Sequence, residues 1–304
     1  MTPRERFLTA LRGGQPDRVP MPLRMWKFLR KHYPDTPDSL EQGLKAQDEF
    51  GTDVWQYVAD PPRPCFQPTG TPWRDDVEVE VRHEVRGGRN YWERRIHTPD
   101  GDLHDVKQAL IVEQGSGSGP EIIEPLVKDL KRDLPLLRYM QADPSRIDID
   151  GALRADQRIG DRGLAVPSMY SPLDTRDALK QADFLMLYYD DREAFREIVR
   201  IGADAMMAET RHVLEAGFKL VKTWWFYASP SGGWSPRIYE EMFLPHLARH
   251  VDLVHSYDAL YIYYDEGKMR PFVDMYVDAG IDVLMTCSPP PLGDADPAEM
   301  KARY

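Results

Sequence analysis

The sequence predicts an α/β protein built on parallel strands, either a barrel or a doubly wound sheet. Three observations predict it. From Glu215 to Tyr304 short apolar strands alternate with amphipathic helices, and the rest of the chain repeats that rhythm more loosely. Strand, helix, strand, helix, strand implies parallel strands joined by right-handed crossovers. Polar residues gather just past the carboxyl ends of those strands, at Tyr227-Ala228-Ser229, Asp265-Glu266-Gly267-Lys268 and Cys287-Ser288-Pro289. Parallel α/β folds keep their active sites there.

Thr2-Pro3-Arg4-Glu5 is a capping box with proline at the first helical position, and its short helix ends at Gly13-Gly14. Residues 18–23 read as a strand, followed by a basic, aromatic segment over 24–30. Ser39 caps a helix over 39–50, with Gln42 three residues later and Gly51 as its stop. Residues 53–58 form the next strand, and Asp60 lies just beyond it. Residues 69–108 break the rhythm. Val77, Val79 and Val81 alternate with charged residues, Gly87-Gly88 and Asp100-Gly101 are turns, and 91–96 alternates again. This is an antiparallel hairpin or meander inserted after the second strand, a flap at the barrel mouth or an edge used in dimerisation. The loop at 115–119 lacks the lysine and the setting of a phosphate loop.

Helices are expected over 124–140 and 145–158, then a strand over 164–169 ending at Tyr170. Helices follow over 175–187 and 193–216, with Gly217 as cap. Residues 218–226, FKLVKTWWF, are apolar, aromatic and too short for a free-standing helix, which gives a buried strand. Ser235-Pro236 opens a helix with an apolar face of Tyr239, Phe243, Leu247, Val251 and Val254, kinked at Pro245. A strand over 259–264, a helix over 269–279 stopped by Gly280, and a strand over 282–287 complete the series. Six barrel-type strands result, in one domain over residues 1–304 with an inserted flap at about 69–108.

No apolar run approaches a membrane span, and the N-terminus has no signal pattern. Two cysteines, Cys65 and Cys287, cannot build a disulfide framework, which points to a reducing cytoplasm. A net charge of −11 argues against nucleic acid as a partner, because phosphate binding needs a basic face. A small-molecule substrate is the expected ligand.

Several stretches resemble the uroporphyrinogen decarboxylase superfamily. They are the opening from Thr2 to Pro20, Phe50-Gly51-Thr52-Asp53, Ser235-Pro236-Arg237-Ile238-Tyr239 with Leu244-Pro245, Glu266-Gly267-Lys268-Met269-Arg270-Pro271, and the closing Pro289-Pro290-Pro291-Leu292-Gly293-Asp294. The resemblance implies a (β/α)8 TIM barrel, a homodimer for many members, and two more strands than this chain carries. One branch decarboxylates the acetate arms of a tetrapyrrole without a cofactor. The other moves methyl groups between a corrinoid carrier and a thiol or small methylated compound, often with zinc. The decarboxylases' arginine-rich run after the first strand reads here as Leu23-Arg24-Met25-Trp26-Lys27, continuing to Arg30. Their catalytic aspartate falls on Asp60. The methyltransferases' His-x-Cys-Gly zinc motif reads as Tyr264-Asp265-Glu266-Gly267, so any metal there would rest on oxygen ligands such as Glu266.

Asp60, Glu266 and Asp265 are the candidate catalytic residues, against loop carboxylates or helix caps. Arg24 would meet an anionic substrate; for Lys27 and Arg30 a solvated helix face is the stronger reading. Trp26, Tyr170, Trp225, Tyr227 and Tyr264 are the candidate substrate-binding aromatics, although alternation turns about half of a strand's side chains to the helices. Cys287 reads as a small buried residue, and His246 and His250 as structural. The resemblance favours methyl transfer between a small methylated compound and a corrinoid on a partner protein. Cofactor-free tetrapyrrole decarboxylation and a non-catalytic tetrapyrrole- or corrinoid-binding barrel are the alternatives.

Overall fold

The computed structural model describes residues 1–23, 25–111, 119–225, 228 and 232–304. The capping box at Thr2 forms, and helix α1 (Pro3–Leu11) follows it. The first expected strand does not form. Pro20 and Pro22 have no N–H to give a ladder, and one parallel bridge, Pro22 to Asp53, is what remains. Helices α2 (Trp26–His32) and α3 (Ser39–Phe50) come next. The N-cap of α3 is Asp38, not Ser39; its carboxylate accepts from Leu40 N at 2.9 Å. Strand β1 (Val54–Val58) then enters the sheet.

The insertion is a four-stranded antiparallel meander, β2 (Glu78–Arg86), β3 (Arg89–Thr98), β4 (Gly101–Leu110) and β5 (Glu121–Glu124), in sequential order. It thus extends past the expected boundary at 108. The long helix expected over 124–140 shrinks to α4 (Leu130–Asp133) and a 3₁₀ segment, Leu134–Met140. Pro125 disfavours helix at Glu124, and Pro135 carries no N–H for a ladder. Residues 115–118 of the glycine–serine loop lie outside the described residues.

The βα rhythm resumes with α5 (Ile149–Ile159), β6 (Gly163–Tyr170), a 3₁₀ segment at Pro172–Ala178, α6 (Gln181–Asp190), α7 (Arg192–Glu215) and β7 (Leu220–Trp224). Pro245 does more than kink the next helix. It divides α8 (Pro236–Met242) from α9 (Leu244–His255) and sits in the first turn of the second, where its missing N–H costs nothing. Strand β8 (Leu260–Tyr264), helix α10 (Val273–Asp278), strand β9 (Val283–Met285) and helix α11 (Pro297–Arg303) close the series.

The parallel strands pair in the order β1-β6-β7-β8-β9. Gly163 permits the closest approach between β1 and β6, since a Cβ there would lie 1.9 Å from Val54 O. Alternation divides the sheet's side chains between two cores. On the inner face Leu164, Val166, Leu220 and Ile262 pack with Trp55 and Tyr57, and Phe7 of α1 closes this core from the amino-terminal end. On the outer face Val54, Ala165, Val221, Tyr261 and Tyr263 pack against the helices, in a core that also takes in Ile96 and Leu103 of the insertion. Among the described residues no helix is long and apolar enough to cross a membrane.

Candidate functional site at the carboxyl ends of the strands

The inner face becomes polar and aromatic towards the carboxyl ends of its strands. Lys222 of β7 follows Leu220 on that face and is fully buried. Its ammonium lies against the ring of Trp224, 4.3 Å from the ring centre of Tyr264 and 5.2 Å from that of Tyr57. Such a position favours a cation, because the ring faces carry negative potential. The rings also meet one another, Trp224 with Tyr264 at 4.6 Å and with Tyr57 at 5.7 Å. Trp224 Nε1 donates to Ser168 Oγ of β6 at 2.7 Å.

Asp60 stands over this cluster. Ala59 precedes it in the left-handed region, at φ 54°, a conformation unusual for a residue with a Cβ, and so turns the chain sharply off the end of β1. Two cavities share Asp60. One, of about 810 Å³, runs along the edge of β1 and is lined by Trp26, Arg30, Gln42, Trp55 and Tyr57 among others. The other, of about 500 Å³, is lined by Gln67, Thr69, Trp73 and Tyr170. Asp60 reaches the surface, yet the packed groups around it strip part of its water and raise its carboxyl above its ordinary value; a hydrogen bond with Ser168 and the charges of Lys222 and Arg63 oppose that rise.

Beyond Asp60 the chain makes a proline-rich loop. Arg63 lies between the rings of Phe66 and Tyr170, at 4.3 and 4.4 Å from their centres, and pairs with Asp174. Behind that pair Glu209 of α7 lines a small cavity with Asp174 and Tyr170. Burial pushes Asp174 up to about 6 and Glu209 up to about 8, the latter helped by the charge of Asp174. The loop is held from the insertion. Arg94 of β3 donates to Pro64 O at 2.8 Å, Gln67 O at 3.0 Å and Gly70 O at 3.1 Å, and pairs with Asp105 of β4 through two nitrogens. Lys107 of β4 donates to Cys65 O and Phe66 O. All three ionic side chains are buried.

The expected site residues separate into two groups. Asp60, Trp26 and Tyr170 line the cavities just described, and Tyr264 faces Lys222. Glu266 is exposed at the end of β8, where its carboxylate accepts from the Tyr264 hydroxyl at 2.9 Å. Trp225 and Asp265 lie on the other side of the sheet, which corrects their assignment to the pocket. Trp225 is one residue from the inward Trp224, so alternation turns it to the helices. There its Nε1 donates to the Tyr261 hydroxyl at 2.9 Å, which also meets His250, itself bonded to Thr210. Asp265 is fully buried, accepting from the Tyr276 hydroxyl and from Glu266 N, each at 2.7 Å. Arg24 and Tyr227 lie outside the described residues. Lys222, Arg63 and Tyr57 did not emerge from the sequence reading. Lys222 carried a signal, since it is a charged residue inside an otherwise apolar strand and shares the parity of Trp224.

Among the described residues no three His, Cys, Asp or Glu side chains come together to hold a metal ion, so they offer no zinc site of the kind used by the methyltransferase branch.

A family model for uroporphyrinogen decarboxylase (URO-D) matches residues 112–296. The chain belongs to this family. The parallel sheet is of the family's barrel-type α/β architecture, and this chain carries the antiparallel sheet as an insertion. No curated protein sequence matches the chain. A solved structure of a methyltransferase from Methanosarcina mazei is similar in fold, with a TM-score of 0.58 and 15% identity over 93% of this chain and 75% of that one. Within the family barrel, the motifs at the two ends of the N-terminal region are structural. Asp53 accepts from Arg6, Arg18 and Met21 N, each at 2.8 Å, and Arg6 also pairs with Asp17.

Proposed function

We propose that this uroporphyrinogen decarboxylase family member removes a carboxyl group from a small aromatic acid without a cofactor, with Asp60 as proton donor. The observation that carries the reading is the environment of Asp60. It is a carboxyl on an exposed rim, raised by partial loss of water around it, shared by two cavities and set over a buried lysine ringed by aromatic side chains. A carboxyl that keeps its proton closer to neutral pH is suited to general acid work. Asp60 gives its proton to the ring carbon that bears the carboxylate. The bond to CO₂ then breaks and its electron pair returns to the ring. Asp60, now ionised, is stabilised by the Lys222 charge and recovers a proton from water in the cavity. Tyr57, Trp224 and Tyr264 offer ring faces to the substrate. The cations near this mouth are few, Arg30, Arg63 and Lys222 among the described residues, which favours a substrate with one or two carboxylates over a polyanionic tetrapyrrole.

A second reading is methyl transfer to a corrinoid on a partner protein, favoured by the likeness of fold to the methyltransferase. In it Asp60 protonates the heteroatom that the methyl group leaves. One panel separates the two. Aromatic carboxylic acids are assayed for CO₂ release, and methoxylated aromatics for methylcobalamin formation with reduced cobalamin. CO₂ release that falls by about 100-fold or more in Asp60→Asn, with ligand affinity little changed, is the expected result. Release that Asp60→Asn leaves intact removes Asp60 from the chemistry. Methylcobalamin without CO₂ selects the second reading, and ligand binding with neither product leaves a binding barrel.

A further inference from the structure

Decarboxylation at Asp60, with the reacting ring against Tyr57, Trp224 and Tyr264, leaves the cavity of about 500 Å³ beside Asp60 without an occupant. Its wall is firmly built. The enclosing segment, residues 61–73, contains five prolines, whose fixed φ angles leave little freedom to lose on binding. Arg94 and Lys107 of the insertion hold that segment by its carbonyls. Pro61, Pro62 and Pro68 give the cavity flat apolar faces, Tyr170 adds a ring, and Trp73, 37% exposed, adds an indole.

Trp73 is kept there against its backbone preference. Its φ is 52°, in the left-handed region that a bulky side chain seldom enters. Contacts on both sides hold it. Pro72 O accepts from Asp143 N at 3.3 Å, while Arg74 pairs with Asp76 at 2.7 Å and lies 5.5 Å from the ring centre of Tyr139. Strain that neighbours hold in place gathers at ligand clamps.

The lining also selects for charge. Among the described residues no cation belongs to it, and Asp60 is its one carboxylate. Arg63, which follows Pro62, is turned instead between Phe66 and Tyr170 and pairs with Asp174. Gln67, Thr69 and Thr71 contribute an amide and two hydroxyls, which suit uncharged polar substituents. We infer that this cavity takes a second, uncharged aromatic ring of the substrate, stacked on Trp73. The substrate class is then an aromatic carboxylic acid that carries another ring, with its reacting carbon at Asp60 and the second ring among the prolines. The inference rests on Asp60 as the group that meets the reacting ring. Apolar area and offset stacking on the indole supply the gain. A carboxylate on the outer ring would lose water beside the Asp60 carboxyl with no cation to meet it, and is disfavoured.

The test is calorimetric binding of benzoate, biphenyl carboxylate and biphenyl dicarboxylate to the full chain, which does not depend on turnover. Biphenyl carboxylate should bind about tenfold more tightly than benzoate, and the second carboxylate should remove that gain. Trp73→Ala should also remove it while leaving benzoate unchanged, and Trp73→Phe should keep most of it. Trp73→Gly suits the backbone at that φ, so it should lose the gain with little change in melting temperature. Equal affinity for benzoate and biphenyl carboxylate overturns the inference. So does a Trp73→Ala chain weakened equally towards both, or a gain lost on Trp26→Ala, which would put the ring in the larger cavity. The tenfold pattern without CO₂ release from any aromatic acid supports the ring subsite and removes the decarboxylation.

Discussion

Trp224 and Trp225 adjoin in sequence and serve opposite faces of β7. Trp224 meets Lys222, Tyr57 and Ser168 on the inner face, and Trp225 belongs to the Tyr261–His250–Thr210 chain among the helices. Replacing Trp225 by Phe deletes the donor to Tyr261 and leaves part of its space unfilled. It should lower unfolding free energy by about 1–3 kcal/mol in a denaturant titration. Trp224→Phe should cost less stability and should instead weaken ligand binding, and a larger stability loss at Trp224 than at Trp225 would contradict the division of faces. Glu209 gives a prediction in pH. Folded, it keeps its proton up to about 8, while the unfolded chain releases it near 4.5. Between those values the unfolded state binds fewer protons, so stability is fullest below the lower value and falls as pH rises towards the upper one. The loss is on the order of 4–5 kcal/mol. Melting temperature should therefore drop between pH 5 and 8, and Glu209→Gln should flatten that drop.

At the scale of elements, the insertion acts on the site through the loop it holds. Arg94 satisfies Asp105 and three carbonyls of the loop that follows Asp60, with Arg94 and Asp105 themselves away from water. Arg94→Met would leave a buried carboxylate and those carbonyls without their donor, at a cost of about 3–5 kcal/mol. The expected result is a large fall in melting temperature, together with faster amide exchange in residues 64–70 than elsewhere in the barrel. Uniform exchange changes would mean that the clamp has no particular hold on the loop. Prolines shape the other departures from simple periodicity. Pro22 reduces a strand to a bridge, Pro125 and Pro135 shorten a helix, and Pro245 divides one.

For the whole molecule, the net charge of −11 contrasts with where several cations are found. Arg94, Lys107 and Lys222 are buried, each against carboxylates, carbonyls or ring faces. An acidic exterior around an inward cation draws small anions less by the field of the whole protein than by the local field of the mouth. Added salt should therefore change the affinity for an aromatic carboxylate only weakly, within about threefold between 0.05 and 0.5 M, because the pairing charge is shielded from the solvent. A steep loss with salt, measured by titration, would place the ligand on the surface instead.

The sequence by itself determined the parallel α/β class, most strands and helices from β6 onward, the antiparallel insertion and the place of Asp60. These follow from local chemistry: periodicity, caps, turn residues and the rule that strand ends carry the site. It also marked the family, through motifs of which two, the opening stretch and Phe50 to Asp53, proved to be partners in one ion cluster around Asp53. Only the tertiary structure decided which of two adjacent tryptophans faces the pocket. Alternation fixes that two neighbours differ, but the phase depends on which face of the sheet meets the helices. Asp265 went to the helix side for the same reason. Lys222 came together with Asp60 only in three dimensions, since it belongs to β7 whereas Asp60 follows β1, and the loss of water that raises a carboxyl is a property of the neighbours that folding supplies.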